Sequence, residues 1–279
     1  MRTAEPLARR RVALTFELPP PTLSANRFMS EVLAAKIAFV TGGSRGIGRA
    51  TALKLASAGC DVAIVYHNSH EEAEAVCSAI RALGRRTLAV QADVSDPESI
   101  GEAFAIFRQQ FDRVDFVVSN AAIGVLRPAL ELTLKHWRRC LETNAFALNL
   151  LAQQAVPLMP EGGRIIALSS LGASRAIPHY AFIGASKAAL ESVVRSLAQE
   201  LGPRGIRVNT VSAGVVDTDA LKYFPNREQL LAEYARRTPA GPTLTPEDVA
   251  NAVYLLCLPE AAMITGHTLV VDGGYCISG

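Results

Sequence analysis

The sequence predicts an α/β protein, a single doubly wound parallel sheet of about seven strands with helices on both faces. Three observations carry this. Short β-branched runs alternate with longer Ala- and Leu-rich stretches from Ala35 onward, and the first run ends in a glycine-rich turn. At 279 residues with 49% apolar composition, the chain can also bury one sizeable core. Strands are read at Ile37 to Thr41, Val62 to Tyr66, Thr87 to Ala92, Phe116 to Asn120, Arg164 to Ser169, Arg207 to Ser212 and Thr268 to Val271. Helices are expected near 46–58, 70–83, 97–111, 134–158, 180–201 and 245–257. Strands joined in this way are parallel, because a parallel pair needs a crossover and the crossovers must cover the sheet.

Composition narrows the function. A formal charge of +2 without a basic stripe argues against nucleic-acid binding, where clustered Lys and Arg pair with phosphates. Cys60, Cys77, Cys140, Cys257 and Cys276 are far apart, with no CxxC pair or zinc spacing, so no metal site is expected and reduced thiols in a cytoplasmic protein fit best. There is no apolar run of transmembrane length. Residues 1–28 differ from the rest, with five arginines against two glutamates and the run Pro19-Pro20-Pro21, which leaves the remainder near −1. They lack the apolar stretch of a signal peptide. Residues 1–33 are therefore expected to be a flexible extension of a domain at 34–279, either a transit peptide or, with Met29 as the natural start, a segment without a role.

The first strand runs into T-G-G-S-R-G-I-G, with Gly42, Gly46 and Gly48 spaced for a turn that ends a strand and opens a helix. Such a turn lets backbone N–H groups and the positive end of the helix approach a pyrophosphate, and Ser44, Arg45 and Ile47 lie within it. The second strand ends in Tyr66-His67-Asn68-Ser69 with no acid before Glu71. An acid at that place would accept a ribose 2′-hydroxyl and repel a 2′-phosphate. Its absence, with Arg45 on the same side, favours NADPH, and His67, Asn68 and Ser69 are candidate neighbours of the 2′-phosphate.

The turn resembles the TGxxxGxG segment of short-chain dehydrogenases/reductases, a Rossmann-like family, and further segments extend the likeness over residues 35–275. Asn120-Ala121-Ala122 is similar to the family's NAG-type segment, and Asp93-Val94 to its adenine contact. Asn144 matches the asparagine that bends a helix and holds a water near the catalytic lysine, and V-D-G-G at 271–274 matches the closing motif. The resemblance also places Gly214, Val216 and Thr218 at the cofactor, with Thr218 at the nicotinamide carboxamide, although Ala213 stands where many relatives have proline.

In ordinary members a tyrosine stands four residues before the lysine, on the same helix face. Here the lysine is Lys187 and that place is held by Ile183, which has no proton to give. The nearest tyrosine is Tyr180, seven residues before Lys187. On a continuous helix this puts the hydroxyl about 4.5 Å further along the axis, still on one face. Tyr-x6-Lys resembles enoyl-acyl-carrier-protein reductases, and the segments at 169–172, 217–228 and 238–241 resemble type III of that group. The displacement has a chemical sense. Enoyl-thioester reduction delivers hydride to the β-carbon while charge appears on the thioester oxygen, whereas in carbonyl reduction both ends of one C=O react.

The resemblance thus implies NADPH-dependent reduction of trans-2-enoyl thioesters of acyl-carrier protein or coenzyme A, in fatty-acid or related acyl-chain synthesis. It assigns Tyr180 and Lys187 to catalysis, with Lys187 also holding the nicotinamide ribose, Asn144 behind them and Ser170 where ordinary members keep a catalytic serine. A 3-oxoacyl or other carbonyl reductase using Tyr180, and a non-catalytic NADPH-binding protein, are the competing readings. A lid is expected near 219–241, with Leu221, Tyr223, Phe224, Leu230 and Leu231 over the acyl chain and Lys222, Arg227, Arg236 and Arg237 for an acidic carrier. The long apolar segments 134–158 and 180–201 predict a homotetramer.

Overall fold

The structure is a computed structural model that describes residues 32–219, 221, 227–241 and 244–278. Seven parallel strands form one sheet in the order β3-β2-β1-β4-β5-β6-β7. They are β1 (Ile37–Thr41), β2 (Asp61–Tyr66), β3 (Thr87–Gln91), β4 (Phe116–Ser119), β5 (Arg164–Ser170), β6 (Arg207–Ala213) and β7 (Thr268–Val271). The helices are α1 (Gly46–Ser57), α2 (His70–Ala82), α3 (Pro97–Arg108), α4 (Leu134–Leu141), α5 (Ala147–Ala155), α6 (Ala181–Leu201), α7 (Arg227–Arg237) and α8 (Pro246–Cys257).

The period of two along β1 divides the core into two layers. Ile37 and Phe39 face α3, α5 and α6, while Ala38 and Val40 face α1, α2 and α8. Phe39 stacks on Phe104 of α3 with ring centroids 4.5 Å apart and meets Phe107 edge-on at 5.4 Å. The chain winds outward from β1 in one direction to β3 and, after crossing to β4, in the other to β7. The carboxyl ends of β1 and β4 therefore border the crevice where this topology binds ligands.

One expected element takes a different form. The helix expected at 134–158 is divided: α4 passes into a π-turn at Glu142–Phe146 before α5 begins. Asn144 sits in that turn, buried, and its amide bonds both backbone groups of Ile123 at 2.8 Å, which holds the widened turn in place. The described part of the segment expected to be a lid contains α7, and Tyr234 on it is fully buried. Its hydroxyl donates to the Asp272 carbonyl at 2.7 Å, and Gly214 leaves room for it, since a Cβ there would lie 2.3 Å from the Tyr234 hydroxyl. Through its hydroxyl and its ring, which stacks on Tyr275 with centroids 4.9 Å apart, Tyr234 ties this part of 219–241 to the chain that follows β7. Lys222, Tyr223, Phe224 and Pro225 lie outside the described residues. Replacing Tyr234 by phenylalanine removes one of the two hydrogen bonds that the Asp272 carbonyl accepts, the other coming from the Tyr275 N–H, and is expected to cost about 1 kcal/mol, read from the urea midpoint.

The predicted extension lies almost wholly outside the described residues, but Leu33 is buried and donates its N–H to the Ala58 carbonyl at 2.9 Å, so the packed domain includes it. Among the described residues no helix is long and apolar enough to cross a membrane.

Candidate active site

The glycine turn needs its glycines for reasons the geometry makes explicit. Gly42 and Gly46 have φ of +63° and +54°, in the left-handed region. A Cβ on Gly48 would lie 2.1 Å from the Gly42 carbonyl oxygen, so this glycine lets α1 pack against its own approach. Arg45, extended and exposed, stands at the start of α1, and no side chain caps that helix end. Its first N–H groups and macrodipole suit a phosphate. Thr218 closes over Gly46 from the far side, with its methyl carbon 3.6 Å from where a Cβ would be. Ser44 is buried and Ile47 packs on the α1 layer of the core.

Asn120 braces this turn from β4. Its side-chain amide donates to the carbonyls of Thr41 at 2.9 Å and Gly42 at 3.1 Å. Thr41, which the sequence reading did not single out, is buried and accepts from the N–H groups of Asn120 and Ala121 at 3.0 and 3.1 Å. Ala122 is exposed beside them. At the adenosine end, His67 and Asp93 come together with Nε2 and Oδ2 3.9 Å apart. Hydrogen bonds from Ser95 hold the Asp93 carboxyl below its usual range. Val94 is buried, while His67 and Asn68 are exposed and half-buried Ser69 begins α2. Gly214 and Val216 follow β6, Gly214 against Tyr234 and Val216 bridged to Leu244.

Ser170, Tyr180 and Lys187 converge on the end of β5. The Tyr180 hydroxyl donates to Ser170 Oγ at 3.3 Å, and Lys187 Nζ donates to the Leu168 carbonyl at 2.6 Å. Tyr180 does not lie almost two turns of helix below Lys187, as a helix from 180 would have it; it is the residue before α6, with φ −110° and ψ 10°. Pro178 and the left-handed His179, φ +63°, precede it and keep it out of the helix. The ring instead lies on Gly172, where a Cβ would come within 2.6 Å of it. Gly172, the last residue of the 169–172 segment, is thus what makes room for the phenol. Ile183 is buried against Gly124, whose Cβ would lie 2.2 Å from its terminal methyl.

Burial pushes the Tyr180 phenol up, opposed by its bond to Ser170 and reinforced by Cys140. The hydroxyl therefore stays protonated and able to donate. Burial pushes the Lys187 ammonium down, to about 8, while Glu191 works the other way. Asn144 reaches Lys187's neighbour rather than Lys187 itself, donating to Ser186 Oγ at 2.9 Å; Ser186 in turn donates to the Ile183 carbonyl at 2.7 Å.

A family model described as enoyl-(acyl carrier protein) reductase matches residues 42–276. The chain belongs to the short-chain dehydrogenase/reductase family. It is 41% identical to 1-cyclohexenylcarbonyl-CoA reductase of Streptomyces collinus over 87% of both chains. It is 34% identical to a hydroxynaphthalene reductase-like protein of Metarhizium majus, over 87% of this chain and 95% of that one. A short-chain dehydrogenase of Burkholderia cenocepacia, solved with NADP, superposes with a TM-score of 0.82 at 40% identity, covering 88% of this chain and 99% of the other. As a short-chain dehydrogenase/reductase the chain is an oxidoreductase.

Proposed function

We propose that the protein reduces the carbon–carbon double bond of 2-enoyl thioesters with NADPH. The observation that carries this is the Tyr180 ring seated on Gly172 just before α6, with isoleucine at the place four residues before Lys187. The glycine turn, open to a pyrophosphate at the head of α1, fits the cofactor, and Arg45, His67, Asn68 and Ser69 would meet its 2′-phosphate. NADPH supplies the hydride when bound. Tyr180 donates a hydrogen bond or its proton to the thioester oxygen where charge develops as hydride reaches the β-carbon, and the saturated thioester forms when the α-carbon takes up a proton, with loss of any proton held on the oxygen. Lys187, bonded here to the Leu168 carbonyl, would hold the ribose hydroxyls and bias the phenol, and Asn144 and Ser186 hold the π-turn against α6.

The Streptomyces relative supports the reading, because its name denotes the coenzyme A thioester of a conjugated acid. Ser170, bonded to Tyr180, favours carbonyl reduction as a second reading, in company with the hydroxynaphthalene reductase-like relative. NADPH oxidation with matched enoyl and 3-oxoacyl thioesters, each on coenzyme A and on acyl-carrier protein, separates them. The expected result is turnover of the enoyl substrate at least about tenfold above the 3-oxoacyl one; the reverse ratio establishes the carbonyl reading, and cofactor binding without turnover a non-catalytic one. Arg227 is bonded to Asp217, Arg236 to Glu233, and Arg237 to Ser278. Docking of an acidic carrier through these arginines therefore competes with internal pairs, which favours the coenzyme A arm. A homotetramer, measured by light scattering, belongs to the same reading.

A further inference from the structure

Three successive residues of β5 each hold one polar residue of the catalytic segment. Leu168 accepts from Lys187 through its carbonyl, Ser169 Oγ donates to Glu191 Oε1 at 2.7 Å, and Ser170 Oγ accepts from Tyr180. Ser169 is buried and Glu191 half-buried. Glu191 lies one helical turn beyond Lys187 on α6, so the two side chains share a face. In an exposed helix the order Lys then Glu is the weaker of the two for such a pair. Here the hydroxyl of Ser169 directs the carboxylate, and burial makes its charge count for more than it would in water.

We infer that Glu191, held by Ser169, is a positioning residue of this reductase: it fixes α6 against β5 and keeps the Lys187 ammonium charged. The other ionisable groups on the packed elements act elsewhere. Arg164 and Arg207 begin β5 and β6, at the far ends of those strands. Lys135, Arg138 and Arg139 of α4 and Glu142 of the π-turn are exposed, and His136 is engaged with the Thr133 N–H. Cys140 and Tyr180 are uncharged neighbours at working pH, each raised by burial. Among the described residues, Glu191 is the group whose charge acts on Lys187.

The role in turnover rests on the reductase reading; the charge coupling does not, and its test needs no substrate. The chain has five lysines, so selective ¹³Cε-lysine labelling gives a simple spectrum in which Lys187 is assigned by its loss in Lys187→Met. Wild type is expected to titrate near 8. Glu191→Gln, which can still accept from Ser169 but carries no charge, is expected to lower that midpoint by about half to one unit. Ser169→Ala is expected to lower it by less, and Ser169→Thr to restore it. The alkaline limb of kcat/KM and of NADPH affinity should move by the same amount. A midpoint unchanged in Glu191→Gln, with only a lower melting temperature, would reduce Glu191 to a packing contact and overturn the inference. A shifted midpoint without any reductase activity would instead keep it and discard the catalytic reading.

Discussion

Replacing Tyr180 by phenylalanine is expected to lower kcat on enoyl thioesters by about 10² to 10³, the usual cost of one lost oxyanion donor. The change removes the hydroxyl that bonds Ser170 and leaves the ring on Gly172, so NADPH affinity, measured by fluorescence, should stay within about threefold of wild type. Lys187→Ala is expected to weaken both, because on the proposed reading its ammonium would serve the ribose and the phenol. Adding Ile183→Tyr to Tyr180→Phe tests the geometry. A tyrosine at 183 would have to displace the contact with Gly124, and any activity it restores is expected on carbonyls, with little enoyl reduction. Near-normal enoyl turnover by Tyr180→Phe would move the donor's role to Ser170 or to water.

Gly48→Ala should produce the largest structural effect at the cofactor end. The new methyl would stand 2.1 Å from the Gly42 carbonyl and 2.5 Å from Asn120 Nδ2, a brace that itself holds Thr41 and Gly42. Neither neighbour is the free end of a flexible chain, so the turn must open. Overpacking of this kind costs about 1–3 kcal/mol, and roughly 2–4 °C of melting temperature per kcal/mol. Because the displaced atoms are the ones that would cradle the pyrophosphate, NADPH affinity is expected to fall by at least about tenfold. Ala50, two residues further along α1, is already an alanine in a buried place and marks how local the requirement for glycine is.

Much of this was written in local pattern. All seven strands lie where β-branched runs placed them, within a residue or so at either end, because burial on both faces demands continuous apolar runs. The glycine spacing identified the turn, the missing acid after Tyr66 pointed to NADPH, and the isoleucine four residues before Lys187 singled out Tyr180 as the candidate donor. These are properties of neighbours along the chain. The order in which strands pair, the break of the expected helix at Asn144 and the anchoring of α7 by Tyr234 depend on partners far away in sequence, Ile123 and Asp272 among them. So does the position of the Tyr180 hydroxyl. Spacing alone put it on the helix of Lys187, whereas the structure seats it before that helix, on Gly172 and against Ser170. The sequence determined which groups this protein has for its chemistry; only tertiary packing, in which β5 presents three consecutive residues to Lys187, Glu191 and Tyr180, decided where those groups meet, since hydrogen bonds across a core are set by the approach of whole elements rather than by residue spacing.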